Sequence, residues 1–108
     1  YPGLKTHEGH DIAARQMPNG FGGMMSFIVK GGRQAASKFV DSLELCTLAV
    51  SLGDAETLIE HPASMTHSTY TAEELADAGI PEGLVRLSVG LENVDDIIAD
   101  LQAGLDTL

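Results

Sequence analysis

Apolar residues along this chain recur in two rhythms, and the changes of rhythm fall at glycines. From Arg33 to about Leu45, Ala36, Phe39, Val40 and Leu43 fall three and four apart, with Lys38, Asp41 and Glu44 between them. That spacing predicts a helix with one buried stripe. A second stripe, Val94, Ile97, Ile98, Leu101, Leu105 and Leu108, follows Asn93, which suits an N-cap, with Asp95 and Asp96 in a first turn that favours negative charge. Ile12, Ala13 and Met17 predict a short helix over His7 to Gln16, ended by Pro18-Asn19-Gly20. Thr71 with Glu74 three residues on matches a capping box and predicts a helix from about Ala72 to Ala78, closed by Gly79.

The other rhythm is that of strands. Met24 to Lys30, rich in aromatic and β-branched residues, lies between Gly22-Gly23 and Gly31-Gly32. In Leu84 to Val89 the side chains of Val85, Leu87 and Val89 share one face, and those of Leu84, Arg86 and Ser88 the other. Leu45 to Leu52, bounded by Gly53, predicts a buried strand, and Thr57 to Glu60, stopped by His61-Pro62, another. There is no internal repeat. The pattern predicts an α+β fold, a small antiparallel sheet with helices packed on one face.

A chain of 108 residues can bury a single core. With no Trp and few aromatics, that core must be built from Leu, Ile, Val, Ala and Met. Six basic residues against sixteen acidic ones give a net charge of −10, which disfavours nucleic acid and anionic membrane surfaces as partners. No stretch approaches the run of about twenty apolar residues that a spanning helix needs. A single cysteine, Cys46, excludes an internal disulfide and offers no metal-ligand pair, which predicts a cytoplasmic setting. Tyr1-Pro2-Gly3-Leu4 reads as a linker or turn, so a piece of a longer chain is expected.

Arg86 is the leading candidate for chemistry. A permanently charged fork on a half-buried strand costs desolvation unless an anion meets it, and a carboxylate fits it with two parallel hydrogen bonds. From the residues alone two readings stay open: a site for a carboxylated small molecule, and an ion pair to one of the chain's own acids. Ser51-Leu52-Gly53, after an apolar run, can offer a hydroxyl and accessible backbone to such a ligand, or be a strand ending in a turn. His7 and His10, three apart, have the minimal spacing of a metal pair but no third ligand, and read rather as a solvated pair. His61 and His67 flank a segment dense in hydroxyls, either a site loop or a connection satisfying its own backbone. Gly20 to Gly23 lacks the Lys and Ser or Thr of a phosphate loop and reads as a tight turn. Glu92 to Asp96 reads as a charged helix start.

Several words in one order carry a resemblance. Tyr1-Pro-Gly-Leu, His10 through Arg15-Gln16-Met17, Gly20-Phe21-Gly22-Gly23-Met24-Met25-Ser26-Phe27, Ser51-Leu52-Gly53, His61-Pro62-Ala63-Ser64-Met65-Thr66-His67 and Val85-Arg86-Leu87-Ser88-Val89-Gly90-Leu91-Glu92 resemble the C-terminal part of the Cys/Met-metabolism pyridoxal-phosphate enzymes. The resemblance spans essentially the whole chain. It implies the C-terminal domain of a type I, aspartate aminotransferase-like enzyme, with residues 1–20 a linker and inter-domain helix and 21–108 the substrate-carboxylate-binding domain. Arg86 is then implied to bind the substrate α-carboxylate, assisted by Ser51 and the backbone of Leu52. Pyridoxal 5′-phosphate is implied to sit on a large domain absent from this segment, which contributes no catalytic, cofactor-binding or metal-binding residue. Lys5, Lys30 and Lys38 stand in unrelated words, and the segment alone is expected to be inactive.

The resemblance further implies an amino-acid substrate, sulfur-containing or an activated homoserine, and a homotetramer in the full-length form. Ser51 to Leu58, Met65-Thr66-His67-Ser68 and Tyr70-Thr71 are most similar to the methionine γ-lyase branch, which implies a carbon–sulfur lyase releasing methanethiol, 2-oxobutanoate and ammonia. Cystathionine γ-synthases, cystathionine γ-lyases and O-acetylhomoserine sulfhydrylases are the alternatives within the family. A free-standing carboxylate-binding or assembly module is the alternative of another class.

Overall fold

The computed structural model describes residues 1–108. Four helices and four strands follow in the order α1 (His10–Gln16), β1 (Met24–Ile28), α2 (Gly32–Asp41), β2 (Thr47–Leu48), β3 (Leu58–Glu60), α3 (Ala72–Asp77), β4 (Leu84–Ser88) and α4 (Val94–Leu105), with a single 3₁₀ turn at Pro62–Ser64. The expected caps form. The Thr71 hydroxyl accepts from the Glu74 N–H and the Glu74 carboxylate from the Thr71 N–H, while the Asn93 side chain accepts from the Asp95 N–H at 2.8 Å. The first helix starts later than the apolar spacing suggested: residues 7–9 form a turn, and α1 begins at His10.

The strands lie in one sheet in the order β1-β4-β3-β2. Met25 and Ile59 flank Leu87, and Phe27 lies opposite Val85. These residues face α2 and α4, whose Ala36, Phe39, Val40 and Ile97 complete the core. Phe27 meets Phe39 edge to face at 5.9 Å. Phe39, Ile59, Val85 and Leu87 are buried to 1% exposure or less, each burial contributing about 2 kcal/mol over an exposed side chain. The α4 stripe is narrower than its sequence suggests. Ile97 is buried and Leu101 packs against the core, whereas Val94, Ile98, Leu105 and Leu108 are exposed. Instead, Gly104 brings the two helices together: a Cβ there would stand 2.6 Å from Leu43 Cδ2 and 3.0 Å from the Phe39 ring.

The sheet is mixed, which corrects the expectation of a purely antiparallel one. β1–β4 and β3–β4 are antiparallel, but β2 pairs with β3 in parallel. Nor does Leu45 to Leu52 form a strand along its whole length. Backbone N–H groups of Glu44, Leu45 and Cys46 donate to the Asp100 carboxylate, and the Val50 and Ser51 carbonyls accept from Arg86. With those groups taken by side chains, only Thr47 and Leu48 remain as strand.

Candidate functional site around Arg86

The parallel pairing of β2 builds the site. Because β2 runs alongside β3 in the same direction, the residues after it emerge at the Glu60 end of the sheet, and Glu60 is in register with Arg86. Val50 and Ser51 therefore arrive beside the guanidinium. Arg86 Nη2 lies 3.1 Å from each of their carbonyl oxygens and 2.9 Å from Glu60 Oε2. All three contacts use Nη2; Nη1 and Nε make no hydrogen bond within the chain. The Arg86 side chain is 27% exposed, that of Glu60 1%.

From Ser51 the chain doubles back over the second face of the sheet. Gly53, at φ +77°, adopts a left-handed turn that a side chain would strain, and its N–H donates to Ser88 Oγ at 2.8 Å. The Thr57 N–H and hydroxyl both donate to the Glu92 carboxylate; these bonds, the backbone one foremost, hold that carboxyl below its usual range. Leu58 and Ser88, in register, are both buried. Gly90 packs so closely on Ala55 and Glu56 that no Cβ fits.

Arg86 lines a cavity of about 230 Å³ with Tyr1, Pro2, His7, Met24, Met25 and Ser26. Ser26 is its cross-strand neighbour on β1. The N-terminal segment is fixed here: the Tyr1 hydroxyl donates to the Gly22 carbonyl at 2.9 Å, and His10 stacks on Phe21 and contacts the Pro2 carbonyl through Nδ1 at 2.8 Å. His7 Nδ1 accepts from the Gly9 N–H. No lysine lines this cavity. Lys5 and Lys30 are exposed, and Lys38 Nζ donates to the Thr107 carbonyl, so these residues do not fit the covalent attachment of pyridoxal phosphate.

Of the residues singled out in the sequence, Arg86 and Ser51 meet directly, though Ser51 does so through its carbonyl rather than its hydroxyl. Leu52 is adjacent in the chain and 53% exposed. The ion-pair reading of Arg86 is present in the structure, on Nη2, while Nη1 and Nε have no partner within the chain. Glu60 was not singled out; its only sequence signal is an acid ending an otherwise apolar run. His61 is buried, with Nδ1 2.8 Å from Ser64 Oγ and Nε2 donating to the Glu82 carbonyl at 2.7 Å, which supports the connection reading of that segment. His67 stays outside, edge-on to Tyr70 at 4.9 Å.

Comparison with known proteins gives the family. The family model for Cys/Met metabolism PLP-dependent enzymes matches residues 1–106. The chain is 65% identical over its whole length to an L-methionine γ-lyase of Fusobacterium nucleatum subsp. polymorphum, and 61% identical to that of Porphyromonas gingivalis. It spans 27% of the length of each. Among solved structures, cystathionine γ-synthase of Xanthomonas oryzae pv. oryzae in complex with cystathionine superposes with a TM-score of 0.87 at 57% identity, covering 98% of this chain and 27% of that one. The chain belongs to the family of Cys/Met metabolism PLP-dependent enzymes.

Proposed function

We propose that this chain is the C-terminal, substrate-carboxylate-binding domain of a PLP-dependent carbon–sulfur lyase of the methionine γ-lyase type. Residues 21–108 form that domain, and residues 1–20 are the linker and inter-domain helix. The observation that carries the reading is the Arg86 guanidinium: Nη2 is anchored to Glu60 and to two loop carbonyls, while Nη1 and Nε stay available on a side chain lining a cavity. A fork held at one nitrogen presents the rest in a fixed orientation, so less conformational freedom is lost when a carboxylate docks.

In this reading Arg86 grips the α-carboxylate of an amino acid, and the Ser51-Leu52 backbone borders it. The clamp fixes the direction of the Cα–H bond relative to the rest of the site, which is a positioning contribution. The cofactor would be carried outside this segment, and would supply the electron sink for carbanion chemistry when bound. A Campylobacter jejuni relative, 42% identical and covered over 25% of its length, was solved with N′-pyridoxyl-lysine-5′-monophosphate. The full protein would act in the cytoplasm as a homotetramer. L-Methionine is the favoured substrate because methionine γ-lyases are among the relatives at 52–65% identity, against 48% for a cystathionine γ-lyase of Dictyostelium discoideum and 45% for an O-succinylhomoserine sulfhydrylase of Pseudomonas aeruginosa. The 57% identity to cystathionine γ-synthase makes that enzyme the second reading.

The test is turnover of L-methionine by the full-length protein, following 2-oxobutanoate and methanethiol. Arg86→Ala is expected to raise KM steeply and lower kcat/KM, and Arg86→Lys to recover only part, because a single ammonium cannot be anchored to Glu60 and the two carbonyls while presenting further N–H groups in a fixed plane. Unaltered kinetics in Arg86→Ala would remove Arg86 from the site. Condensation of an activated homoserine with cysteine, without methionine cleavage, would favour the synthase.

A further inference from the structure

The most exacting feature of the site is a buried charge that the proposed clamp does not require. Glu60 is 1% exposed, Oε2 pairs with Arg86, and the buried Oε1 has no hydrogen-bond partner. Holding Arg86 in place does not by itself require a charge. A glutamine would offer Nη2 the same carbonyl acceptor with much less desolvation, since burying an ionised group costs far more than burying an amide. The negative charge is therefore the property to be explained, and its direct effect is on whatever else approaches the same guanidinium.

We infer that Glu60 is a specificity-determining positioning residue, an internal counter-anion that attenuates the affinity of Arg86 for carboxylates. This inference rests on the carboxylate-clamp reading of Arg86. With Glu60 on Nη2, the pair is neutral before a ligand arrives. A ligand carboxylate on Nη1 or Nε then places two anions on one cation, a cost that a ligand carrying its own ammonium group relieves and a simple carboxylate does not. The site thus discriminates against anions without an amine, among them the oxo acid that an amino-acid lyase releases. At an effective dielectric constant of about 20, two like charges on opposite sides of a guanidinium alter binding by about tenfold or more.

The test is calorimetric titration of butanoate, a carboxylate without an amine, into the full-length cofactor-loaded protein. Glu60→Gln keeps the acceptor and removes the charge, and is expected to bind butanoate about tenfold more tightly, a gain that structural damage does not produce. Unchanged or weaker binding in Glu60→Gln, with binding weakened by Arg86→Ala, overturns the inference and leaves the clamp standing. Butanoate affinity indifferent to Arg86→Ala overturns both. Should Glu60→Gln fail to fold, the unaltered protein still decides. Butanoate is expected to exceed butanamide by less than about tenfold, because Glu60 cancels most of the advantage of a charged ligand; a larger ratio overturns the inference.

Discussion

Removing Arg86 does more than take a cation from the cavity wall, because it strands an acid. With the guanidinium gone, Glu60 keeps a buried charge with no partner, and Arg86→Ala is expected to cost about 3 kcal/mol in unfolding free energy. Glu60→Gln made in the same background takes that charge away, so the double variant should regain part of the loss. A double-mutant cycle should show a coupling of about 1–2 kcal/mol; strict additivity would mean that the pair is not energetically joined. Cys46 is a quieter case. Burial first, and then hydrogen bonding and charge from Asp100, push its thiol up to about 12. At pH 8 about one molecule in ten thousand then carries the thiolate, the form that reacts. Disulfide reagents should leave Cys46 untouched in the native protein and label it on unfolding, and labelling at the rate of an exposed thiol would contradict its burial.

Among the elements, the helix positions and caps were legible because they depend on residues three and four apart. β2 was not. Its apolar run is the right length for a strand, but its backbone partners are Asp100, more than fifty residues away, and Arg86, on a different strand. Burial alone would raise the Asp100 carboxyl. The N–H groups of Cys46, Glu44 and Leu45, with the Cys46 thiol, more than offset that and leave it below its usual range. Asp100→Ala should cost about 2 kcal/mol, as the N–H groups of Leu45 and Cys46 lose their acceptor. Faster amide exchange at residues 44–46, with α2 unaffected, is the local signature to look for. Arg86 itself could be read from alternation, whereas Glu60 could not, because register between β3 and β4 is set by long-range pairing. Ser51 meets Arg86 through its carbonyl, a backbone contact that residue type does not announce.

For the molecule as a whole, acid is the condition that exposes how the chain is fastened. Three carboxyls that tie segments together, Glu74, Glu92 and Asp100, all sit below their usual values of 4.5, 4.5 and 3.8. Each is deprotonated more readily folded than unfolded, so the unfolded chain takes up protons first as pH falls. Their stabilisation is complete above those ordinary values and drains away through the lower folded ones. The unfolding temperature should hold between pH 7 and about 5 and drop below about pH 4, and a midpoint that rose on acidification would contradict these assignments. No helix in the chain is long and apolar enough to cross a membrane.

The fastening of the return segment also sets where this chain can tolerate a change of length. Gly53 is tied to Ser88, and the Ala55 carbonyl accepts from the Leu91 N–H at 2.7 Å, so the exposed Asp54 lies between two fixed posts. An extra residue there lengthens only a surface bulge, at a small entropic cost. The same residue inserted four positions earlier, between Leu48 and Ser51, would shift the carbonyls that accept from Arg86 while β2 stayed in place. Insertions in natural variants of this domain should therefore gather at 54 and spare 49–52, a phase constraint written by hydrogen bonds rather than by any single side chain.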